Sequence, residues 1–420
     1  MTVNPPDIQR LIATRRAGHT LEAPFYTAPE IFNLDMELIF SRHWIFVGVE
    51  PEVPEAGDYI IREIGKSSVI IVRDDDEVVR AYFNVCRHRG ARLVNEPSGT
   101  VGKLVCPYHQ WTYELTGELI DAPHMGDGFD MSCRSLKPVH LRSIEGLLFV
   151  CLSDNPPADI EDMAKTMGPR IAPHALRATK VAAQFDLIEQ GNWKLVMENN
   201  RECYHCTGSH PELTVSLSQF GFGFEPNPND AACVADAAAY DAEQKRLTEE
   251  WEARGFPSRA IDHLADTPTG YRSERLILAG AGESQTLDTK IASRRLLGGL
   301  TEPKLGGLHY WTQPNSWHHF MSDHAVVFAV FPLTAETTLL RTIWLVHKDA
   351  VEGVDYDVEN LTRVWNATNA QDGALVALAQ KGATDLGYEP GPYSPLTENF
   401  VEQNCEWYIG RMAEHLAGAR

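Results

Sequence analysis

The sequence predicts an α+β protein in which an all-β segment precedes a longer segment that mixes helices and strands. Two observations favour this fold class. Short β-rich runs separated by turns fill residues 45–152. After the Pro-containing stretch 153–157, helical periodicities and strand-like runs both occur. A chain of 420 residues also exceeds the roughly 150 residues expected for one domain, so two or three domains are predicted.

The first 44 residues are predicted to be a mostly helical lead-in, with prolines near its start. Residues 45–152 form the predicted all-β domain. Within it, 69–72 and 78–83 flank an acidic turn, which is the pattern of a hairpin. A second hairpin is expected to turn at 116–117.

Residues 158–420 form the predicted second domain. Its clearest element is an antiparallel hairpin, because 325–331 and 337–346 are β-rich runs joined by a short turn. A helix is expected to begin near Asn192. Residues 225–300 are polar and show no clear element.

Charge and cysteine content narrow the function classes. The net charge is 37 − 58 = −21, which argues against binding to nucleic acid or to an anionic membrane surface. No apolar run approaches the roughly 18 residues of a membrane span. Six of the eight cysteines lack the spacing of a disulfide framework: Cys133, Cys151, Cys203, Cys206, Cys233 and Cys405. A cytoplasmic protein with reduced cysteines is therefore expected.

Two pairs of ligand residues lie close together in the all-β segment. Cys86 and His88 form a C-x-H pair, and after a gap of 17 residues Cys106 and His109 form a C-x2-H pair. Two thiolates and two imidazoles in this order suit a [2Fe–2S] cluster of the Rieske kind, in which two histidines replace two cysteines on one iron. Zinc is the alternative, although zinc fingers usually place both cysteines before both histidines.

A second group of ligand residues follows the helix that begins near Asn192. Glu202 and His205 are three residues apart, so they share a helical face. His205 and His210 would lie about 140° apart on a regular helix. Gly208 is expected to open the helix and to let both rings turn to one point. Two unrelated polar histidines near a helix end remain the alternative.

Asp372 lies on a predicted buried helical stripe, which consists of Leu361, Trp365, Thr368, Asp372, Leu375 and Ala379. A buried carboxylate is costly unless its charge is compensated, and a metal ion would compensate it. Two histidines and one carboxylate form the facial triad of mononuclear iron(II) oxygenases. The alternatives are that Asp372 pairs with an arginine or caps a neighbouring element.

Over nearly its whole length the chain resembles the catalytic α subunit of Rieske non-haem iron oxygenases. The matching segments are 86–90, 106–111, 198–210 and Asp372. The resemblance implies a Rieske domain over 45–152, a helix-grip catalytic domain with a large antiparallel sheet over 158–420, and a lead-in that packs on the latter. It implies a [2Fe–2S] cluster, a mononuclear Fe(II), and electrons from NAD(P)H through a separate flavin or iron–sulfur reductase.

In that family the subunits form a head-to-tail trimer. Carried over to this chain, His109 would meet Glu202 of the neighbouring subunit, and Glu202 would hold His205. Most members have aspartate at this bridge. Glutamate here resembles the carnitine, glycine betaine and stachydrine oxygenases, which implies oxidative demethylation of a quaternary ammonium or betaine-like amine by O2, with release of formaldehyde.

Three rival functions stay open: hydroxylation of an aromatic ring or aromatic acid, simple electron transfer, and a structural zinc protein. An aromatic cluster, consisting of Tyr310, Trp311, Trp317 and Phe320, is either a cage for a quaternary ammonium or plain core. Neighbouring histidines are expected at the surface or around the ligands rather than among them: His309, His318, His319 and His324. Residues 225–300 match the family poorly and are expected to influence substrate choice.

Overall fold

The structure is a computed structural model that describes residues 5–222 and 225–418. Residues 1–4 of the predicted lead-in lie outside the described residues. The rest of the lead-in contains three short helices and a π-helical turn over Asp35–Phe40. The three helices are α1 (Pro5–Thr14), α2 (Ala23–Thr27) and α3 (Pro29–Leu34). Their apolar side chains, such as Phe25 and Ile31, join the main core together with residues of the C-terminal helices.

The next segment is built from three small antiparallel sheets, with strand orders β1-β10-β9, β4-β3-β2-β5 and β6-β7-β8. Both predicted hairpins are confirmed, since β3 pairs with β4 and β7 pairs with β8. The strands are β1 (Ile45–Val49), β2 (Asp58–Ile64), β3 (Ser67–Arg73), β4 (Val79–Phe83), β5 (Ser98–Thr100), β6 (Leu104–Val105), β7 (Thr112–Tyr113), β8 (Leu119–Asp121), β9 (His140–Ile144) and β10 (Leu147–Cys151).

The remaining segment is organised around one seven-stranded antiparallel sheet in the order β11-β17-β16-β15-β14-β13-β12. The predicted long hairpin is confirmed as β16 and β17, in which Phe331 lies opposite Leu339. The strands are β11 (Thr179–Glu189), β12 (Ile261–His263), β13 (Tyr271–Leu276), β14 (Gly307–Thr312), β15 (Ser316–Phe320), β16 (His324–Pro332) and β17 (Thr338–His347).

Within the described residues, six α-helices accompany this sheet: α4 (Ile160–Ile171), α5 (Trp193–Asn200), α6 (Cys206–Ser209), α7 (Ala231–Ala253), α8 (Val358–Ala383) and α9 (Asn399–Gly418). The stretch 225–300, which showed no clear pattern, supplies α7, the edge strand β12 and its neighbour β13. Among the described helices, none is long and apolar enough to cross a membrane.

Both faces of the central sheet are covered, which explains the near-continuous apolar run of β16. On one face, Val326 and Phe328 pack in the core that includes Trp193 of α5 and Trp365 of α8. On the other face, Val327 packs in a second core with side chains of β1, β10 and α4. Residues of β14 and β15 alternate between these two cores. The face beneath α5 and α8 carries the site described next.

Candidate metal centres and the active-site cavity

The two C/H pairs lie on neighbouring loops at one end of the all-β segment. Cys86 and Cys106 are buried, while His88 and His109 are half-buried with ring centroids 4.5 Å apart. Each loop is closed by its own backbone: Gly90 N–H donates to the Cys86 carbonyl, and Gln110 N–H donates to the Cys106 carbonyl. Burial, and then the neighbouring Cys86 thiol, raise the pKa of Cys106. The structure thus brings all four predicted ligands together.

The surroundings of this cluster of side chains fit a [2Fe–2S] group. Nδ1 of His88 is buried and has no hydrogen-bond partner among the described residues, as a metal-binding nitrogen requires. The ring of His88 is stacked on Trp111, with centroids 4.8 Å apart, which fixes its orientation. The Tyr113 hydroxyl lies 3.4 Å from Sγ of Cys86 and accepts the Arg87 N–H. Hydrogen bonds to cluster sulfurs are among the features that set the reduction potential.

The second group of predicted ligands converges on one point. Nε2 of His205 lies 2.9 Å from Nε2 of His210 and 3.2 Å from Oδ1 of Asp372, and the last two atoms are 2.9 Å apart. Three ligands at right angles, each about 2.0–2.2 Å from a metal, would have atoms separated by about 3 Å. The triangle therefore has the dimensions of one face of an octahedral metal site, as in a facial triad.

Further hydrogen bonds orient the two rings. Glu202 accepts from Nδ1 of His205 and also from the backbone N–H of Tyr204. Nδ1 of His210 lies 2.8 Å from the side-chain oxygen of Gln371, so each ring directs its Nε2 toward Asp372. Partners of this kind fix the tautomer and the angle of a metal-binding histidine. Sequence reasoning missed Gln371, because its proximity to His210 depends on α8 lying across the loop.

The local backbone differs from the prediction. The helix was expected to continue to Gly208 and to open there, but α5 ends at Asn200 and His205 precedes the short helix α6. Gly208 lies inside α6, and nothing in the structure would obstruct a side chain at that position. The break over 201–205 turns His205 toward His210, so the role assigned to Gly208 was wrong.

The pKa values of His205 and Asp372 depend on each other. Burial lowers the pKa of His205, but hydrogen bonds to Asp372 and Glu202 outweigh this effect and raise it to about 9. Burial raises the pKa of Asp372, yet the two histidines bring the net value below its usual range. Asp372 is thus a carboxylate compensated by imidazoles. The alternative of an arginine partner for Asp372 finds no support among the described residues.

One expectation about cysteines was wrong. Cys203 and Cys206, on either side of Tyr204 and His205, are joined by a disulfide bond. Their C-x2-C spacing was the only signal for this bond in the sequence. No other disulfide joins the described cysteines, and Cys133, Cys151, Cys233 and Cys405 carry free thiols as expected.

A small cavity opens onto the converging ligand atoms. Aromatic side chains from three elements form much of its wall: Trp311 of β14, His319 of β15 and Trp365 of α8. The indole N–H of Trp365 donates to Gln285, whose amide lies 3.3 Å from Nδ1 of His319. These contacts fix the aromatic wall beside the ligand triangle.

The predicted aromatic cluster is only partly at this cavity. Trp311 lines it, but Tyr310 and Phe320 point to the opposite face of the sheet, where the Tyr310 hydroxyl lies 3.1 Å from the sulfur of Met163. Trp317 is stacked on Phe328 in the core, with centroids 5.0 Å apart. A cage of all four residues is excluded, because neighbouring strand residues face opposite sides, and plain core, the other alternative, describes Tyr310, Trp317 and Phe320. The second tryptophan in the cavity wall is Trp365, which the sequence indicated only as part of a helical stripe.

The four neighbouring histidines are buried, so a surface position was wrong for them, whereas a position around the ligands, the other alternative, describes His319. His319 lines the cavity, whereas His318 packs against Phe46 in the second core, with centroids 4.5 Å apart. Burial lowers the pKa of His309 and of His318 to about 3, so both rings are neutral at physiological pH. The stretch 225–300 supplies no described lining residue, but it contacts the cavity wall in two places. Gln285 accepts the indole N–H of Trp365, and the guanidinium of Arg272 lies 5.9 Å from the ring centroid of Trp311.

Two family models match the chain. Residues 43–141 match the Rieske [2Fe-2S] domain, and residues 176–414 match the catalytic domain of the ring hydroxylating α subunit. The chain belongs to the Rieske-type ring-hydroxylating oxygenase α subunits. It is therefore a Rieske non-haem iron oxygenase, with one domain for a [2Fe–2S] cluster and one for a mononuclear iron.

Relatives within this family are similar over almost the whole chain. The glycine betaine monooxygenase oxygenase subunit of Chromohalobacter salexigens is 44% identical over 97% of this chain and 88% of its own length. The subunit of the same name from Pseudomonas aeruginosa is 42% identical over 97% and 92%. The carnitine monooxygenase oxygenase subunit of Acinetobacter baumannii is 27% identical over 88% and 86%.

Solved structures of this family share the fold. The quaternary ammonium Rieske monooxygenase CntA in complex with L-carnitine superposes with a TM-score of 0.69 at 22% identity, covering 98% of this chain and 99% of that one. Naphthalene 1,2-dioxygenase from a Rhodococcus species gives a TM-score of 0.67 at 19% identity, covering 97% and 98%. The predicted two-domain α+β architecture with a large antiparallel sheet is thereby confirmed.

Proposed function

We propose that this oxygenase hydroxylates an N-methyl group of a quaternary ammonium, betaine-like substrate and thereby removes the methyl group as formaldehyde. The observation that carries the proposal is the pair of indole rings, Trp311 and Trp365, in the wall of the cavity beside the ligand triangle. Indole faces are the best side-chain partners for a quaternary ammonium group. The 42–44% identity to glycine betaine monooxygenase oxygenase subunits over 97% of the chain supports the same class.

The ligand assignments are part of this proposal. Cys86, His88, Cys106 and His109 hold the [2Fe–2S] cluster. His205, His210 and Asp372 hold a mononuclear Fe(II). When bound, the cluster supplies one-electron transfer and the mononuclear iron supplies oxygen activation. Iron analysis should give about three irons per chain, whereas a simple electron carrier would contain about two.

Glu202 is proposed to couple the two centres between subunits. Within the described residues of one chain, His109 and Glu202 share no hydrogen bond, yet each lies beside an exposed tyrosine, Tyr108 or Tyr204. A neighbouring subunit is thus able to reach both. Arg87 and Arg89 are exposed beside the cluster loops and make that surface positive. At the other site, the negative charge of Glu202 raises the pKa of Glu398, so that surface is negative. The two surfaces therefore have complementary charge. We therefore propose a head-to-tail homotrimer.

The side chains of the cavity act on the substrate rather than on oxygen. Trp311 and Trp365 hold the cationic head, which directs one methyl group toward the ligand triangle. The hydroxylated methyl group then loses its hydroxyl proton, the C–N bond breaks, and formaldehyde and a tertiary amine leave. His319 is buried and is held by Gln285, so it shapes the cavity as a neutral ring.

The remaining assignments complete the proposal. The lead-in 1–44, the Rieske domain 45–152 and the catalytic domain 158–420 are the proposed divisions of the chain. Electrons are proposed to come from NAD(P)H through a separate flavin or iron–sulfur reductase. The proposed location is the cytoplasm, where NAD(P)H and such reductases are present.

A single turnover tests the substrate class. Dithionite-reduced protein is exposed to oxygen with glycine betaine, stachydrine, carnitine, choline or an aromatic acid, and the products are followed by mass spectrometry. Formaldehyde and the corresponding tertiary amine, in equal amounts with one substrate, are the expected result. The Asp372→Ala variant is the control, because it keeps the cluster but loses one ligand of the second centre. A ring-hydroxylated aromatic product, or no product with any amine, would contradict the proposal.

A further inference from the structure

A disulfide lies in the wall of the active-site cavity. Cys203 and Cys206 both line the cavity, and their bond closes the backbone turn that carries His205. The two Cα atoms are 4.9 Å apart, which is within the usual range for a disulfide. Only 6% of Cys203 and 3% of Cys206 is exposed, so the cavity is the route by which a small molecule reaches the two sulfurs.

The remaining cysteines differ in their surroundings. Cys405 is buried beside Tyr393 and Glu198, and its thiol is hydrogen-bonded to both. Cys133 is exposed at the surface of the all-β segment. Neither residue lines the cavity. Cys86 and Cys106 form the other close pair of the described chain, and they are the proposed cluster ligands.

We propose that Cys203 and Cys206 are a redox-active pair, which hydrogen peroxide formed at the oxygen-activating centre oxidises from two thiols to the disulfide. An oxygenase releases peroxide when two electrons and two protons reach O2 without hydroxylation of a substrate. In the subsequent step, two Cys–SH groups and one H2O2 give one S–S bond and two molecules of water. The sulfurs are oxidised and both peroxide oxygens are reduced. Two electrons and two protons from a thiol reductant restore the pair.

The position of Cys206 explains what this reaction protects. Its sulfur lies within 4.8 Å of the ligand nitrogens of His205 and His210. As a free thiol it is a soft ligand that competes for the metal, and it is exposed to stepwise oxidation by peroxide. In the disulfide both possibilities are removed. The ligand atoms of His205, His210 and Asp372 still converge in the disulfide form, so formation of the bond leaves the triangle assembled.

The inference rests on the oxygen chemistry of the family and not on the identity of the amine.

Anaerobic holoenzyme is treated with dithiothreitol, desalted, and exposed to one molar equivalent of hydrogen peroxide. Free thiols are blocked with a first alkylating reagent in denaturant, disulfides are reduced, and the released thiols receive a second reagent. Peptide mass spectrometry then reads each cysteine. Most of the Cys203–Cys206 peptide should carry the second label, while Cys133 and Cys405 carry the first.

A second arm identifies the source of the oxidant. Dithionite-reduced protein is exposed to oxygen without substrate, with the Asp372→Ala variant as the comparison. The expected result is disulfide formation in the wild type and at least about fivefold less in the variant, because the variant lacks a ligand of the oxygen-activating centre. Equal oxidation in both proteins would overturn the proposed source, and so would no oxidation in the wild type. Formaldehyde assays are run separately, so failure of the demethylation proposal remains distinguishable.

The conformational consequence has its own readout. Hydrogen–deuterium exchange of the amides at 204–209 should be about threefold slower in the disulfide form than in the dithiol form, since the bond restricts local opening of the turn. The Cys203→Ser variant should gain one or more oxygen atoms at Cys206 after peroxide treatment and lose mononuclear iron, whereas Cys133→Ser should behave as the wild type. A pair that stays reduced with peroxide, or that reacts no faster than Cys133, would refute the inference.

Discussion

At the scale of single residues, Glu202 has the most connected position in the site. Its carboxylate accepts the backbone N–H of Tyr204 and the ring N–H of His205, so it fixes the turn and the histidine together. Because Nδ1 of His205 is occupied in this way, Nε2 is the nitrogen directed toward Asp372. The same carboxylate is half-buried at the surface that the neighbouring subunit is proposed to cover.

Substitution of Glu202 by glutamine separates coupling from metal binding. Glu202→Gln keeps a hydrogen-bond acceptor for His205 but removes the charge that would link it to His109 of a neighbouring subunit. We expect cluster absorbance and iron content to stay near the wild-type values, while product per reducing equivalent falls at least about tenfold. Stopped-flow oxidation of the reduced cluster, with product analysis, measures both. Wild-type turnover in the Glu202→Gln variant would contradict the proposed bridging role of Glu202.

The aromatic wall gives a second test. Trp365→Leu removes one of the two indoles while keeping an apolar side chain, and we expect KM for the quaternary amine to rise about tenfold, within the range of a desolvated cation–π contact. Trp365→Phe should have a smaller effect, because an aromatic face remains. Iron content serves as the check on folding. An unchanged KM in the leucine variant would mean that Trp365 is only part of the wall.

Local patterns predicted most of the candidate ligands, and Asp372 on α8 was added from its helical stripe and the family resemblance, but other distant contacts escaped prediction. Each C/H pair, and the pair His205 and His210, lies within a few residues of chain, so spacing alone indicated a shared target. Trp365 and Gln371 reach the site only because α8 crosses the 201–210 loop, and no spacing reveals such a crossing. Tyr310 and Trp311 were placed together in the sequence, yet strand geometry sends them to opposite faces.

At the scale of secondary-structure elements, α5 is anchored by polar contacts on the side away from the cavity. Asn192 caps its first turn by accepting the Lys194 N–H, and its amide donates to the carbonyl of Ala335. Lys194 forms a fully buried ion pair with Asp35 of the lead-in. Glu198 accepts a hydrogen bond from the hydroxyl of Tyr26, also in the lead-in. The lead-in therefore fixes the helix from which the 201–210 loop departs.

Glu198 gives this anchor a pH dependence. Burial raises its pKa to about 7, although hydrogen bonds from Tyr26 and Cys405 oppose the shift. A carboxyl whose pKa is raised by folding favours the folded state fully below the ordinary value of about 4.5 and loses that contribution as the pH rises to about 7. Relative to Glu198→Gln, the free energy of unfolding of the wild type should fall by about 3 kcal/mol between pH 4.5 and 7.5.

Thermal unfolding across this pH range measures the difference between the two proteins. The variant Glu249→Gln, at an exposed position of α7, is the control and should follow the wild type. Parallel pH profiles for wild type and Glu198→Gln would show that this carboxyl titrates as an exposed one does.

At the scale of the whole molecule, the two groups of candidate ligands lie at separate places on one chain, and each lies beside an exposed tyrosine. The cluster loops leave Tyr108 54% exposed, and the loop of the second centre leaves Tyr204 60% exposed. In a head-to-tail ring, one subunit presents the first surface and the next subunit presents the second, so the ring closes with every centre paired. The hairpins that build the sheets were predictable from alternation, whereas this assembly entered only through family resemblance.

Hybrid trimers test electron transfer between subunits. Under the proposed ligand assignment, His88→Ala disables the cluster and Asp372→Ala disables the second centre, so neither variant alone should turn over. Coexpression of both chains should restore about a quarter of the wild-type activity per site, since random assembly places an intact cluster beside an intact second centre in one pairing of four. Separately purified variants that are mixed without exchange are the control. Transfer within one chain predicts no activity in the hybrids.

The alternation of β15 also constrains how the cavity can change. Trp317 and His319 face the cavity side, whereas His318 and Phe320 face the opposite core. The turn 313–315 sets the register of β15 against β14 and so determines which residues face the cavity. One residue inserted into that turn, without a compensating change, would exchange the two faces and place His318 at the cavity. Adaptation to a new amine, in nature or in the laboratory, is thus expected to replace side chains in this hairpin while conserving its length.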